Sequence, residues 1–183
     1  MAIFRVFFFL FFFLASGLAS TAYAQHIEQL FDEESTLDLS DSLYFLFETD
    51  YQLTISDVSR RRNDFLMHPH DNPNFGFRNN GMWLLTSVAN VSNEENWVFT
   101  INFSQLDSVD FYLVKNGKVI KQSHQGKAQK EQRFRVPTFR IELSDSDAVD
   151  LYIRIESRSS SLIAPLRIQA EPIHSSYFQA DSM

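Results

Sequence analysis

The sequence predicts an all-β fold, a jelly-roll β-sandwich of two antiparallel sheets with a short helix near the N-terminus. From Met82 to Gly117, and again from Val149 to Ser157, apolar residues recur at every second position. Period two places successive side chains on opposite faces of a strand, one of them buried. Trp97, Phe99, Ile101 and Phe103 alternate with Val98, Thr100 and Asn102, and Val149, Leu151, Ile153 and Ile155 alternate with Asp150, Tyr152, Arg154 and Glu156. Turn signals separate these segments, the strongest being Asn116-Gly117, a pair suited to a two-residue hairpin. Seven or eight short strands within about 130 residues fit two packed sheets of jelly-roll type.

Residues 1–24 read as a secretory signal peptide: Arg5, then the apolar block Val6 to Leu14, then Ala22-Tyr23-Ala24 as the cleavage motif. Residues 25–42 form an acidic lead-in with Asp32, Glu33, Glu34, Asp38 and Asp41, expected to be a mobile segment with a short helix. The sandwich is expected over 43–170. It begins with the apolar run Leu43 to Phe47, and Thr54 then caps a helical turn or two through Ile55-Ser56-Asp57-Val58. Asn63 to Asn80, with Pro69, Pro73 and Gly76, reads as a long loop of the kind that carries function. Strands are expected at 82–90, 96–103, 108–115, 118–124, 139–143, 149–157 and 162–170. Residues 171–183 are a polar connector, read as leading toward a membrane region beyond Met183.

The chain has 183 residues and a formal net charge of −7, and the leader contributes only Arg5 to it. A negative protein repels phosphate backbones, and Arg60-Arg61-Arg62 is too short to form a basic stripe, which argues against a nucleic-acid partner. The absence of cysteine excludes thiol chemistry, disulfides and cysteine-ligated zinc. No apolar stretch after the leader approaches the ~20 residues that span a bilayer. There is no Ser-His-Asp context or glycine-rich phosphate loop, so an enzyme is not expected and no cofactor is implied.

Candidate binding residues follow from the alternation. Tyr112, Tyr152, Arg140, Arg154 and Arg167 fall opposite the apolar positions of their strands, where they would share one exposed sheet face. Aromatic rings stack on sugar faces and arginines donate to hydroxyls or carboxylates, which together would make a carbohydrate platform. The competing reading is a solvated face with cross-strand ion pairs to Glu142 or Glu156. Arg133 and Arg135 flank Phe134 at a strand rim and suit an anionic ligand. His68-Pro69-His70-Asp71 holds two imidazoles and a carboxylate, too sparse a set for a metal site. Trp97 is assigned to the core. Trp83 stands on a strand that is apolar on both faces, as a central strand covered from both sides would be.

Several of these residues occur in the order of a known pattern: Trp83-Leu84, Ala89-Asn90, Asn96-Trp97, Leu106-Asp107-Ser108-Val109-Asp110-Phe111-Tyr112-Leu113, Arg133, Leu151-Tyr152-Ile153-Arg154 and Pro165-Leu166. The chain resembles the periplasmic sensor domain (type 2) of bacterial seven-transmembrane receptors with diverse intracellular signalling modules, over about Leu43 to Ala170. It departs from that pattern at Leu85, where the family usually has arginine. The resemblance implies a jelly roll similar to carbohydrate-binding modules, a periplasmic location, and membrane helices with an output domain such as a diguanylate cyclase or histidine kinase. On this reading the domain senses a small polar ligand, foremost a carbohydrate, and signals by rearrangement of a homodimer or by tilting. The alternative is a freestanding periplasmic module that binds a carbohydrate or protein without signalling.

Overall fold

The computed structural model describes residues 26–32, 36–49, 52–69, 72–127 and 135–171. Eleven strands and one α-helix are formed there: β1 Ile27–Leu30, β2 Leu37–Asp38, β3 Tyr44–Phe47, α1 Ile55–Arg60, β4 Leu66–Met67, β5 Met82–Asn90, β6 Asn96–Ile101, β7 Ser108–Lys115, β8 Lys118–Gln125, β9 Thr138–Glu142, β10 Ala148–Glu156 and β11 Leu166–Ala170. The signal peptide lies outside the described residues.

The strands build two sheets. One has seven strands in the order β4-β3-β5-β10-β7-β8, with β1 also on β5, and the other runs β2-β11-β6-β9. Every pairing is antiparallel except that of β1 with β5. With β10 along one edge of β5, the other edge is shared: β3 pairs with Met82 to Leu85, and β1 with Ser87 to Asn90.

Alternation is realised as burial between the sheets. Met82, Leu84 and Val88 of β5, Val109, Phe111 and Leu113 of β7, and Leu151, Ile153 and Ile155 of β10 face Trp97, Phe99 and Ile101 of β6 and Ile141 of β9. Phe111 stacks on Phe139 at 4.6 Å between centroids and lies 5.5 Å from Phe99, tying the two sheets through aromatic rings. Trp97 sits in this core, as expected, whereas Phe103 is only partly buried at its margin. The hairpin at Asn116-Gly117 has positive φ at both residues, 50° and 72°, the geometry of a two-residue turn matching strand twist.

The acidic lead-in differs from expectation. It contains no α-helix among its described residues. Ile27–Leu30 instead pairs with β5 and Leu37–Asp38 with β11, and one turn of 3-10 helix follows at Ser40–Ser42. Charge density made this segment look solvated, but Leu30 and Leu39 are buried in the main core and fix it there. The helix after Thr54 forms as read. The Thr54 side chain accepts from the Asp57 amide while the Asp57 carboxylate accepts from the Thr54 amide, a reciprocal capping box.

Candidate functional site

The site is built on the outer face of the seven-stranded sheet, where the register aligns Leu46, Trp83, Arg154, Asp110 and His124 in one cross-strand row. The next row is Tyr44, Leu85, Tyr152, Tyr112 and Gln122. Much of this face is closed to water. Leu53, Val58 and Phe65, from the segment around α1, pack with Trp83, Leu85, Val114 and Tyr152 into a second apolar cluster. Phe65 meets the Tyr152 ring edge-on at 6.0 Å, and Trp83 stacks on Tyr112 at 5.7 Å. β5 is therefore covered on both faces, as its two-sided apolar sequence implies.

Two ionic groups hold the covering segment down. The first is Arg62, just past α1. Its guanidinium donates to both carboxylate oxygens of Asp150, at 2.5 and 2.9 Å, and also to the Tyr152 hydroxyl and to Ser87 Oγ. Ser87 Oγ in turn donates to Asp150 Oδ1 at 2.7 Å. Fork-to-fork pairing of this kind fixes geometry as well as charge. Burial pushes the Tyr152 hydroxyl pKa up against the hydrogen bond from Arg62.

The second group is the pair Arg154 and Glu48, whose side chains are only 5 % and 3 % exposed. Arg154 Nε donates to Glu48 Oε1 at 2.8 Å and Nη2 to Oε2 at 2.7 Å. Trp83 Nε1 and the Leu53 amide also donate to Glu48 Oε1, both at 3.0 Å. Burial pushes the Glu48 carboxyl up, but the Arg154 bond and charge with those two donors outweigh it and hold the pKa below its ordinary value. Arg154 Nη2 also donates to Glu156, while Nη1 lies 3.8 Å from Asp110, whose other oxygen meets His124 Nδ1 at 2.6 Å. Burial, and then the Asp110 charge, push the Tyr112 hydroxyl pKa up.

Above this buried pair opens a cleft of about 190 Å³. Glu48, Arg154 and Glu156 line it together with Thr49, Gln52, Asn79, Asn80 and Gly81. Its walls are tied to each other: the Glu48 amide donates to Gly81 O at 3.2 Å, and the Asn80 side chain donates to Thr49 O. Gly81 is required by close approach, since a Cβ there would stand 2.6 Å from Arg154 Nη2 and 2.7 Å from Glu48 Oε2. Chemically the cleft is a fixed charged floor beneath a polar rim, suited to reading hydroxyl groups.

Of the sequence-predicted site residues, Tyr112, Tyr152 and Arg154 do share this face. Tyr152 and Arg154 are buried rather than exposed, Tyr152 under the α1 segment and Arg154 against Glu48 and Gly81. Arg140 and Arg167 are not with them: they lie on β9 and β11 of the other sheet, paired with Glu171 and, at 3.8 Å, Asp38. Arg135 is exposed, just before β9, and Arg133 lies outside the described residues. His68 is buried against the rings of Phe45 and Phe75, while His70 and Asp71 lie outside the described residues. Among the described residues no group of three or more His, Cys, Asp or Glu could hold a metal ion. Glu48, Gln52, Asn79 and Asn80 were not singled out from sequence. The only signal was a carboxylate closing the apolar run Tyr44 to Phe47, and it does not reveal that an arginine 106 residues away is its partner.

The described residues thus form a two-sheet β domain with a polar cleft over a buried ion pair. The chain belongs to the family described as 7TMR-DISM extracellular 2, whose sequence model matches residues 25–170. It is thus a non-catalytic sensor domain of the extracellular, periplasmic side of the membrane, of the 7TMR-DISM receptor type. Among the described residues no helix is long and apolar enough to cross a membrane. No curated protein matches the chain. Among solved structures, the β-glucosidase from Kluyveromyces marxianus in complex with glucose overlaps it with a TM-score of 0.38 and 14% identity, over 68% of this chain and 15% of that one. The chain spans that small share of the enzyme's length, and a likeness so distant carries no argument.

Proposed function

We propose that this domain senses a small polar ligand, foremost a carbohydrate, in the periplasm and passes its occupancy to membrane helices of a seven-transmembrane receptor. The observation that carries the ligand reading is the cleft: exposed amides of Gln52 and Asn79 and the Thr49 hydroxyl around a floor of Arg154, Glu48 and Glu156. Amides, hydroxyls and carboxylates supply paired donors and acceptors at short range, which is what a ring bearing several hydroxyls requires. The residues that read the ligand are then those of the cleft, with Arg154 carried over from the sequence candidates. Tyr112, stacked on Trp83, and Tyr152 flank the floor in the next cross-strand row.

The domain is further proposed to be a jelly roll akin to carbohydrate-binding modules. The chain supports this by changing sheets at β5 to β6, β6 to β7, β8 to β9, β9 to β10 and β10 to β11. Residues 1–24 act as the export signal, and the receptor works as a homodimer. Transmission requires that ligand bind one arrangement of domain and helices more tightly than the other.

The protein has two tryptophans, and Trp83 donates to Glu48 in the cleft floor whereas Trp97 is in the sandwich core. Titrating the protein with a panel of mono- and disaccharides is expected to give a saturable change in tryptophan fluorescence, lost in the double variant Gln52→Ala/Asn79→Ala. No response to any sugar by fluorescence or calorimetry would overturn the carbohydrate reading.

A further inference from the structure

We propose that the cleft selects by charge, accepting hydroxylated rings that are neutral or carry an amine and refusing rings that carry a carboxylate. This deepens the carbohydrate reading above and rests on it.

Among the described residues lining the cleft Arg154 is the one cation, and its charge is already engaged. Nε and Nη2 are committed to Glu48, Nη2 also to Glu156, and Nη1 has the Asp110 carboxylate 3.8 Å away. One guanidinium is surrounded by three carboxylates, so the group as a whole is negative. Two other basic side chains, Arg78 and His124, stand outside the lining. Arg78, beside Asn79 in the rim loop, has its guanidinium carbon 3.4 Å from the centroid of the Phe47 ring and is not part of the lining. His124 bonds Asp110 from β8 and is likewise not part of the lining.

An incoming carboxylate would therefore meet Glu156 and a guanidinium whose Nε and Nη2 are already committed, and like charges at short range repel in a partly dry cleft. The capacity left over is of the opposite kind. Glu156 is about a third exposed (32%) and receives Arg154 on Oε1, so that among the described residues Oε2 has no protein donor. Beside it, the side-chain amides of Gln52 and Asn79 make no hydrogen bond among the described residues. A charged acceptor flanked by amides is a receptor for hydroxyl and ammonium donors.

The test is calorimetric titration of the full chain at pH 7.5 and low ionic strength with three matched series: glucose, glucosamine and glucuronate, and the galactose and mannose equivalents. In the series that binds, the neutral and amino forms are expected to bind at least about tenfold more tightly than the uronate. Glu156→Gln, checked for folding by thermal unfolding, is expected to narrow the ratio of amine to uronate affinity within the series that binds. If the uronate binds as well as or better than the neutral form, or if Glu156→Gln leaves that ratio unchanged, charge selection is overturned while carbohydrate binding stands. If no member of any series binds, both fall together.

Discussion

Both faces of the seven-stranded sheet are covered, yet by different means. The inner face meets the second sheet through side chains without charge, from Met82 and Phe111 to Ile155. The outer face is covered by the short segment around α1, which offers a smaller apolar cluster and is fastened by Arg62 to Asp150 and by Glu48 to Arg154. Apolar packing has no group that titrates, and it holds two sheets in one relation. A buried ion pair adds little net stability over an apolar substitute, because desolvation offsets its Coulomb energy, but it fixes geometry and makes the loss of either partner costly. The proposed ligand cleft lies over the second kind of face, where the floor is positioned by hydrogen bonds rather than by packing alone.

The contrast can be broken most forcefully by one substitution on each side. Phe111→Ala removes a ring that touches both Phe99 and Phe139, and is expected to cost about 3 to 5 kcal/mol. Arg154→Met leaves the Glu48 carboxylate buried without its cation and is expected to cost a similar amount, about 3 to 5 kcal/mol. Urea unfolding measures both. Adding Glu48→Leu to Arg154→Met should restore much of the loss, whereas nothing at position 48 should rescue Phe111→Ala.

Gly81→Ala comes next. Its Cβ would press on both members of the ion pair, at 2.6 and 2.7 Å, and a cost of about 1 to 3 kcal/mol is expected, together with loss of ligand response. Arg62→Ala should cost about 1 to 2 kcal/mol, the lower range reflecting a pair that is a third exposed. Its sharper signature is local: hydrogen exchange should rise across residues 55–64 and remain unchanged in β6 and β9. The smallest effects belong to the four-stranded sheet, where Arg140→Ala and Arg167→Ala are expected to change stability by under about 0.5 kcal/mol and to leave sugar titrations unaltered.

Much of the inner face was legible in the sequence, because burial of one face and period two are the same statement. The strands at 82–90 and 108–115 emerge with the boundaries read from alternation, and Asn116-Gly117 turns as its composition requires. Thr54 announced its helix for an equally local reason, since an N-cap and its third residue are neighbours in sequence.

The outer face was legible only in part. Alternation says that Tyr152 and Arg154 oppose Ile153, but not that a segment 90 residues earlier lies over them, nor that Arg140 and Arg167 belong to the other sheet. Strand-to-sheet assignment is a long-range property that a two-residue period does not encode. The two-sided apolar pattern around Trp83 and Leu85 did signal a cover. Asp150 and Arg62, which fasten it, carried no sequence mark of their partnership.

The most direct test of the difference between the two faces is the pH dependence of the two large defects. In the wild type, Glu48 has a folded pKa below its unfolded value, so its contribution is present above about pH 4.3 and is lost as pH falls through the lower folded value. In Arg154→Met, burial acts on Glu48 without a cation to oppose it and raises the carboxyl pKa, so its penalty is relieved as pH falls through that raised value. Urea unfolding of wild type, Arg154→Met and Phe111→Ala at pH 7 and pH 4 should therefore show the Arg154→Met defect shrinking toward acid while the Phe111→Ala defect stays constant. Two defects that keep the same size at both pH values would mean that the outer face is held by packing like the inner one, and would contradict the account.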